Sequence, residues 1–176
     1  YKKYDNLINP AEKILIGWIQ TINSLYCLEI NNYAYENNEQ IISKEEATEI
    51  AKNKEKQINP EGQIKNIQTE IKIEQMNESV FLREKYGKDY ESGKWNKEKI
   101  GENGYKLKND AVFYKTDGRV RKVWRVTMEY EKIDKDNLLH YYSYYVDATT
   151  GEIIGGEIGD LLTYEDNLKL DVYNMA

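Results

Sequence analysis

Histidine and cysteine each occur once in the 176 residues of this chain. That scarcity excludes every intramolecular disulfide and most metal sites built on imidazole or thiolate. It also removes most catalysis that depends on a histidine base. Proline occurs only twice, too rarely for a proline-rich linker. The longest apolar run, Ile14-Leu15-Ile16-Gly17-Trp18-Ile19, stops at Gln20, well short of the roughly 18–20 residues that span a bilayer. An excess of positive charge is also lacking. The balance is 31 acidic against 25 basic residues, a formal charge of -6, which is the reverse of a general nucleic-acid binder.

What is present suits a globular chain. Hydrophobic residues make up 40% and charged residues 32%, with a mean hydropathy of -0.83, the composition of a soluble protein with a core. The length fits one domain, or one domain with a small accessory. Tyrosine is abundant (16) where phenylalanine is scarce (2), which favours half-buried strands whose rings pack while their hydroxyls stay wet. The chain opens at Tyr1 rather than Met, which reads as a processed or trimmed chain and leaves room for a signal peptide or membrane anchor upstream.

Residues 1–40 read as an N-terminal accessory. Asn9 as cap, Pro10 at the first helical position and Glu12 as capping-box acid predict a helix, with Ile14, Leu15, Trp18, Ile19 and Ile22 on one face. Tyr26, Leu28 and Ile30 alternate with polar or small neighbours, an extended piece that Asn37-Asn38 ends. A second helix starts at Ser43, where Ser43-Lys44-Glu45-Glu46 forms a capping box. Its stripe of Ala47, Ile50 and Ala51 is narrow enough for close packing on a sheet, and Asn59-Pro60-Glu61-Gly62 stops it. Strands dominate from there: Gln63–Gln75, Val120–Tyr130 and His140–Asp147 all alternate with period two. Trp124, Val126, Met128 and Tyr130 share one face of the middle strand, and Arg121, Val123, Arg125, Thr127 and Glu129 the other. Ile133–Asn137 joins two strands, and Asp147-Ala148-Thr149-Thr150-Gly151 is a tight turn into a return strand that Gly155-Gly156 lets the chain leave. The polar stretch at about 78–110 is an inserted, functional or partly ordered loop, and 160–176 is a tail.

The capped helix Ile42–Ala51, then Val123-Trp124-Arg125-Val126, then Tyr144-Tyr145-Val146-Asp147-Ala148-Thr149-Thr150-Gly151-Glu152-Ile153-Ile154 resemble the PepSY family. These are small domains of thermolysin-type protease propeptides and of a bacterial spore-germination protein. The resemblance covers about Ile41–Glu157, apart from the inserted loop, within a domain of residues 41–159. It implies an α+β fold, a helix on an antiparallel sheet, here with an N-terminal helical accessory. It further implies a non-catalytic, extracytoplasmic binding or regulatory module, anchored upstream, that restrains or stabilises a peptidase or cell-wall hydrolase. The alternative it leaves open is a membrane-anchored sensor or regulator that binds a small ligand or wall fragment, or modulates a sensor histidine kinase.

No catalytic, cofactor-binding or metal-binding residues are expected. His140 has no second ligand at metal spacing and reads as structural. Cys27 reads as a small buried apolar residue. Asp134-Lys135-Asp136-Asn137 begins like a calcium loop, but Leu138 and Leu139 stand where a ligand and the turn glycine belong. Gly155–Gly159 lacks the spacing of a phosphate loop. Three candidate surfaces for a protein partner remain. Arg119, Arg121 and Arg125 form a basic strand stripe suited to an acidic partner or anionic wall polymer. Tyr141 and Tyr145 form the second of two tyrosine pairs and could present an aromatic surface. Trp95, with Tyr86, Tyr90 and Tyr105, lies on the inserted loop, where aromatic rings have no evident packing role.

Overall fold

The computed structural model describes residues 1–22, 24–33, 35–92, 95–100, 104–107, 119–131 and 141–159. The elements run β1 (Lys2–Tyr4), β2 (Leu7–Asn9), β3 (Glu12–Ile19), β4 (Ser24–Asn32), α1 (Lys44–Ile58) and β5 (Ile64–Gln75). Then follow α2 (Ser79–Tyr86), α3 (Lys88–Glu91), β6 (Lys97–Ile100), β7 (Gly104–Leu107), β8 (Val120–Tyr130), β9 (Tyr141–Asp147) and β10 (Ile153–Gly159). The fold is α+β, with helices beside antiparallel sheets. The main sheet has four strands in the order β10-β9-β8-β5, and every neighbouring pair is antiparallel.

α1 forms where the sequence predicts it. The Ser43 hydroxyl accepts from the Glu46 N–H, and the Glu46 carboxylate accepts from the Ser43 N–H at 2.9 Å, so both halves of the capping box are made. Ala47 and Ala51 are fully buried against Trp124, Val126, Met128, Tyr142, Tyr144 and Val146. A methyl group at each contact lets the helix lie close to the sheet, and this packed layer is the main core. The Trp124 indole donates to the Ile42 carbonyl at 2.7 Å, fixing the chain just before the helix.

The turn after β9 also forms as expected. Asp147 Oδ1 accepts from the Thr149 and Thr150 N–H groups at 2.8 and 2.9 Å, and Gly151 takes the left-handed conformation with φ +76°. The return strand does not end at Gly155-Gly156, however. Both glycines stay paired in β10, opposite Tyr145 and Tyr144. A Cβ on Gly156 would meet the Ser143 carbonyl at 2.7 Å and the Tyr142 ring at 2.9 Å. Glycine here answers close approach of the neighbouring strand, not departure from it.

The N-terminal helix predicted from Asn9 is instead a β-hairpin, β3–β4, closed by a 3₁₀ turn at Gln20–Ile22. The Asn9 carboxamide accepts from the Ala11 N–H at 3.0 Å and donates to the Tyr33 carbonyl at 2.9 Å, so it stabilises the Asn9-Pro10-Ala11 turn between β2 and β3. Asparagine before proline serves a turn as readily as a helix start, and the isoleucines and Trp18 of Ile14–Ile19 favour a strand. A second hairpin, β1–β2, turns through Asp5 and Asn6, both at positive φ as a two-residue loop of the favoured twist requires.

An apolar cluster and a side-chain clamp are among the ties between residues 1–40 and the main sheet. Ala11 and Tyr35 pack with Ile73 of β5 and Val120 of β8, with Tyr4 and Leu7 alongside. The Asn38 side chain bonds both backbone groups of Lys122, accepting at 2.6 Å and donating at 3.0 Å. The region expected as an inserted loop begins with α2 and α3, which pack back on the body, and continues into the small hairpin β6–β7. The loop Ile133–Asn137, His140 and the tail 160–176 lie outside the described residues.

Candidate functional site

Two side chains place α2. Arg83 is buried, and its guanidinium meets Glu55 of α1 through two nitrogens, with Nη2 at 3.1 Å from Oε1. Its Nε donates to Glu91 of α3 at 2.7 Å, and Nη1 donates to the Tyr144 hydroxyl at 3.0 Å. Tyr144 in turn donates to Glu55 at 2.6 Å, and the Tyr142 ring lies 4.3 Å from the guanidinium carbon. Burial by itself lowers the Arg83 pKa, but its hydrogen bonds to Glu55 and the surrounding negative potential outweigh that and hold it charged. Burial raises the Tyr142 and Tyr144 hydroxyls above their ordinary range, Tyr144 further through the Glu55 charge. This network locks α1, α2, α3 and β9 together.

The second placement is Asn77. Its Oδ1 accepts from the Ser79 N–H and the Gly156 N–H, each at 3.0 Å, and its backbone N–H donates to the Ile154 carbonyl at 3.1 Å. α2 is thereby clamped to the edge strand β10. Between α1, α2 and the start of β10 a groove of about 520 Å³ remains, open to solvent. Ile50, Met76, Val80, Phe81 and Ile153 give it an apolar lining, and the Lys54–Glu84 ion pair stands at the same groove. Phe81 is exposed although its helix neighbours Val80 and Leu82 are buried. Such a groove can take apolar side chains of an extended segment and present backbone and charged groups beside them.

Of the residues singled out from the sequence, the register brings Arg121, Arg125, Tyr141 and Tyr145 to one face of the main sheet, whereas Trp95 lies apart from them. Arg121 bonds Asp147 through Nε and Glu36 through Nη1 at 2.7 Å. The Asp147 bond raises the Arg121 pKa; the Asp147 carboxyl, despite burial, is held below its usual range by Arg121 and two backbone N–H groups. Arg125 reaches Glu157 at 2.7 Å and Glu74 at 3.4 Å, and Tyr145 donates to the same Glu157 oxygen at 3.1 Å. Arg121 and Arg125 of the basic stripe are thus paired with the chain's own carboxylates. Arg119 is exposed just before β8. Tyr141 and Tyr145 retain only 3% and 5% of their surface, so the expected exposed aromatic pair is buried instead. Trp95 packs beside Tyr86 and Tyr90, with ring centroids 5.2 and 6.1 Å away. Its packing role was hidden in the sequence because the helices it covers were read as loop.

Glu74 is the most perturbed carboxyl of this face. Burial pushes it up to about 7, Arg125 opposes the rise and Glu157 adds to it. Cys27 is half-buried opposite Gly17 in the β3–β4 hairpin. Among the described residues no group of three or more His, Cys, Asp or Glu side chains is placed to hold a metal ion, and no helix is long and apolar enough to cross a membrane.

The groove itself escaped the sequence reading, since its walls come from α1, from 76–84 and from 151–155. The signal that could have found it is Phe81, an aromatic residue between two apolar neighbours at the edge of the insertion. Against known proteins the chain finds no match: no family model, no curated protein and no solved structure.

Proposed function

We propose that this chain is a non-catalytic binding or regulatory module that works outside the cytoplasm and restrains or stabilises a partner protein, a peptidase or cell-wall hydrolase. The single observation that carries the binding role is the open apolar groove between α1, α2 and β10, with Phe81 exposed in it. A rigid wall supports it, because the Arg83 network and the Asn77 clamp fix both helices against the sheet. The partner would present an extended segment with apolar side chains. The PepSY-like assignment, the extracytoplasmic address and the class of partner rest on the helix and hairpin residues that resemble that family.

The test is affinity capture from envelope extract, with the chain and its Phe81→Asp variant as paired baits. One peptidase or wall hydrolase enriched by the first and lost with the second supports the reading. Capture that does not depend on Phe81, or no enrichment at all, counts against it. The groove volume also favours a second reading, a sensor for a small ligand or wall fragment, because it lies within the range of small-molecule sites. A rise in melting temperature with muropeptides, absent in the Phe81→Asp chain, would select that reading.

A further inference from the structure

The β3–β4 hairpin carries an apolar face that nothing in the groove reading uses. Strand alternation places Ile14, Ile16 and Trp18 on one face, with their cross-strand partners Ile30, Leu28 and Leu25 beside them. Ile14, Ile16, Leu28 and Ile30 are 66%, 64%, 57% and 64% exposed, and Trp18 and Leu25 about as much. A two-stranded hairpin is marginally stable alone in water. Here it presents its best packing surface to solvent.

We infer that this arm is the interface of a homodimer, in which two copies of the chain stack their hairpin faces about a twofold axis. Three observations select a second copy as the occupant. The six side chains offer about 700 Å² of apolar surface, more than the largest patch of most monomers and close to what one partner contributes to a stable interface. No charged residue occurs from Ile14 to Leu28, although the chain as a whole carries a formal charge of -6. The face can therefore meet its own copy without the like-charge repulsion that opposes contact elsewhere, and an apolar stripe of paired Ile and Leu is self-complementary. Hydrocarbon is the poorer occupant, because a sheet of two strands has two open edges whose backbone groups lipid cannot satisfy. The inference is independent of the groove, which lies on another part of the fold.

The experiment is light scattering coupled to size exclusion on the full chain over a wide concentration range. The expected result is a species of about twice 20.8 kDa that dissociates on dilution. Ile16→Asp should weaken the dimer at least tenfold while the cooperative melting of the main sheet is unchanged. Leu28→Lys, whose long stem still covers the strand, serves as the second variant should Ile16→Asp fail to fold. Hydrogen exchange of β3 and β4 amides should slow as concentration rises. A monomer at every concentration overturns the proposal, as does a dimer indifferent to both variants. A monomer that cosediments with phosphatidylcholine–phosphatidylglycerol vesicles overturns it in favour of a lipid surface.

Discussion

Arg83 keeps its charge where no water reaches it, and the carboxylates of Glu55 and Glu91 make that tolerable. Removing one partner leaves the other buried without compensation, which costs far more than the pair contributes. Arg83→Met should therefore lower stability by about 3–5 kcal/mol in urea unfolding. The double variant Arg83→Met, Glu55→Leu should be less destabilised than the sum of its single changes. Glu74 acts through protonation instead. Its folded-state pKa of about 7 lies above the ordinary 4.5, so the folded chain holds a proton there that the unfolded chain has lost. Stability from this group is present in full below about pH 4.5 and declines as pH rises through 7, by up to about 3 kcal/mol. Asp147 works in the opposite sense, its depressed pKa removing stability as pH falls. Denaturant titrations from pH 5 to pH 8 should thus show a downward slope in the wild type that Glu74→Gln flattens, and equal slopes would refute the assignment.

Among the elements, α1 was legible because its signals are local. A capping box, an alanine stripe and a Pro–Gly stop lie within twenty residues, and none needs a distant partner to be read. Ser43→Ala removes the hydroxyl half of that box and should cost about 1 kcal/mol of stability, read by thermal or urea unfolding. The β5, β8 and β9 faces were legible for the same reason, since period-two alternation survives without tertiary knowledge. The N-terminal hairpin was not. Asn9-Pro10 satisfies both a helix start and a turn, and Ile14, Leu15, Trp18, Ile19 fit a helical stripe as well as a strand pair. Only the pairing of Ile14 with Ile30 and Ile16 with Leu28, set by contacts across the turn, decides between them. Burial of Tyr141 and Tyr145 was equally invisible, because alternation tells which side chains share a face and not what covers it. Gly156 marks the same limit. Read as an exit from the strand, it is required by the Ser143 backbone and the Tyr142 ring, so Gly156→Ala should destabilise the chain by roughly 1–3 kcal/mol in the same assay.

At the scale of the whole molecule, the buried contacts divide unequally between two bodies of one chain. The main sheet and its helices hold the large core and the buried arginine, whereas residues 1–40 lean on one small cluster, Ala11 and Tyr35 against Ile73 and Val120. The Asn38 side chain and the Arg121–Glu36 ion pair add polar ties at the same boundary. Regions with few buried apolar contacts open without global unfolding, so the hairpins should exchange their amide protons well before β8 and β9 do. The cluster itself is the point to test. Tyr35→Ala deletes its largest ring and should separate the two bodies energetically: amides of β1–β4 would lose protection, while those of β8 and β9 keep theirs to within the error of the measurement. Because Tyr35 touches neither the Ala47–Ala51 packing nor Arg83, a uniform loss of protection across all strands would mean that the chain unfolds as one cooperative unit. The selective outcome would give residues 1–40 their physical description as an arm whose hold on the main sheet depends on this cluster.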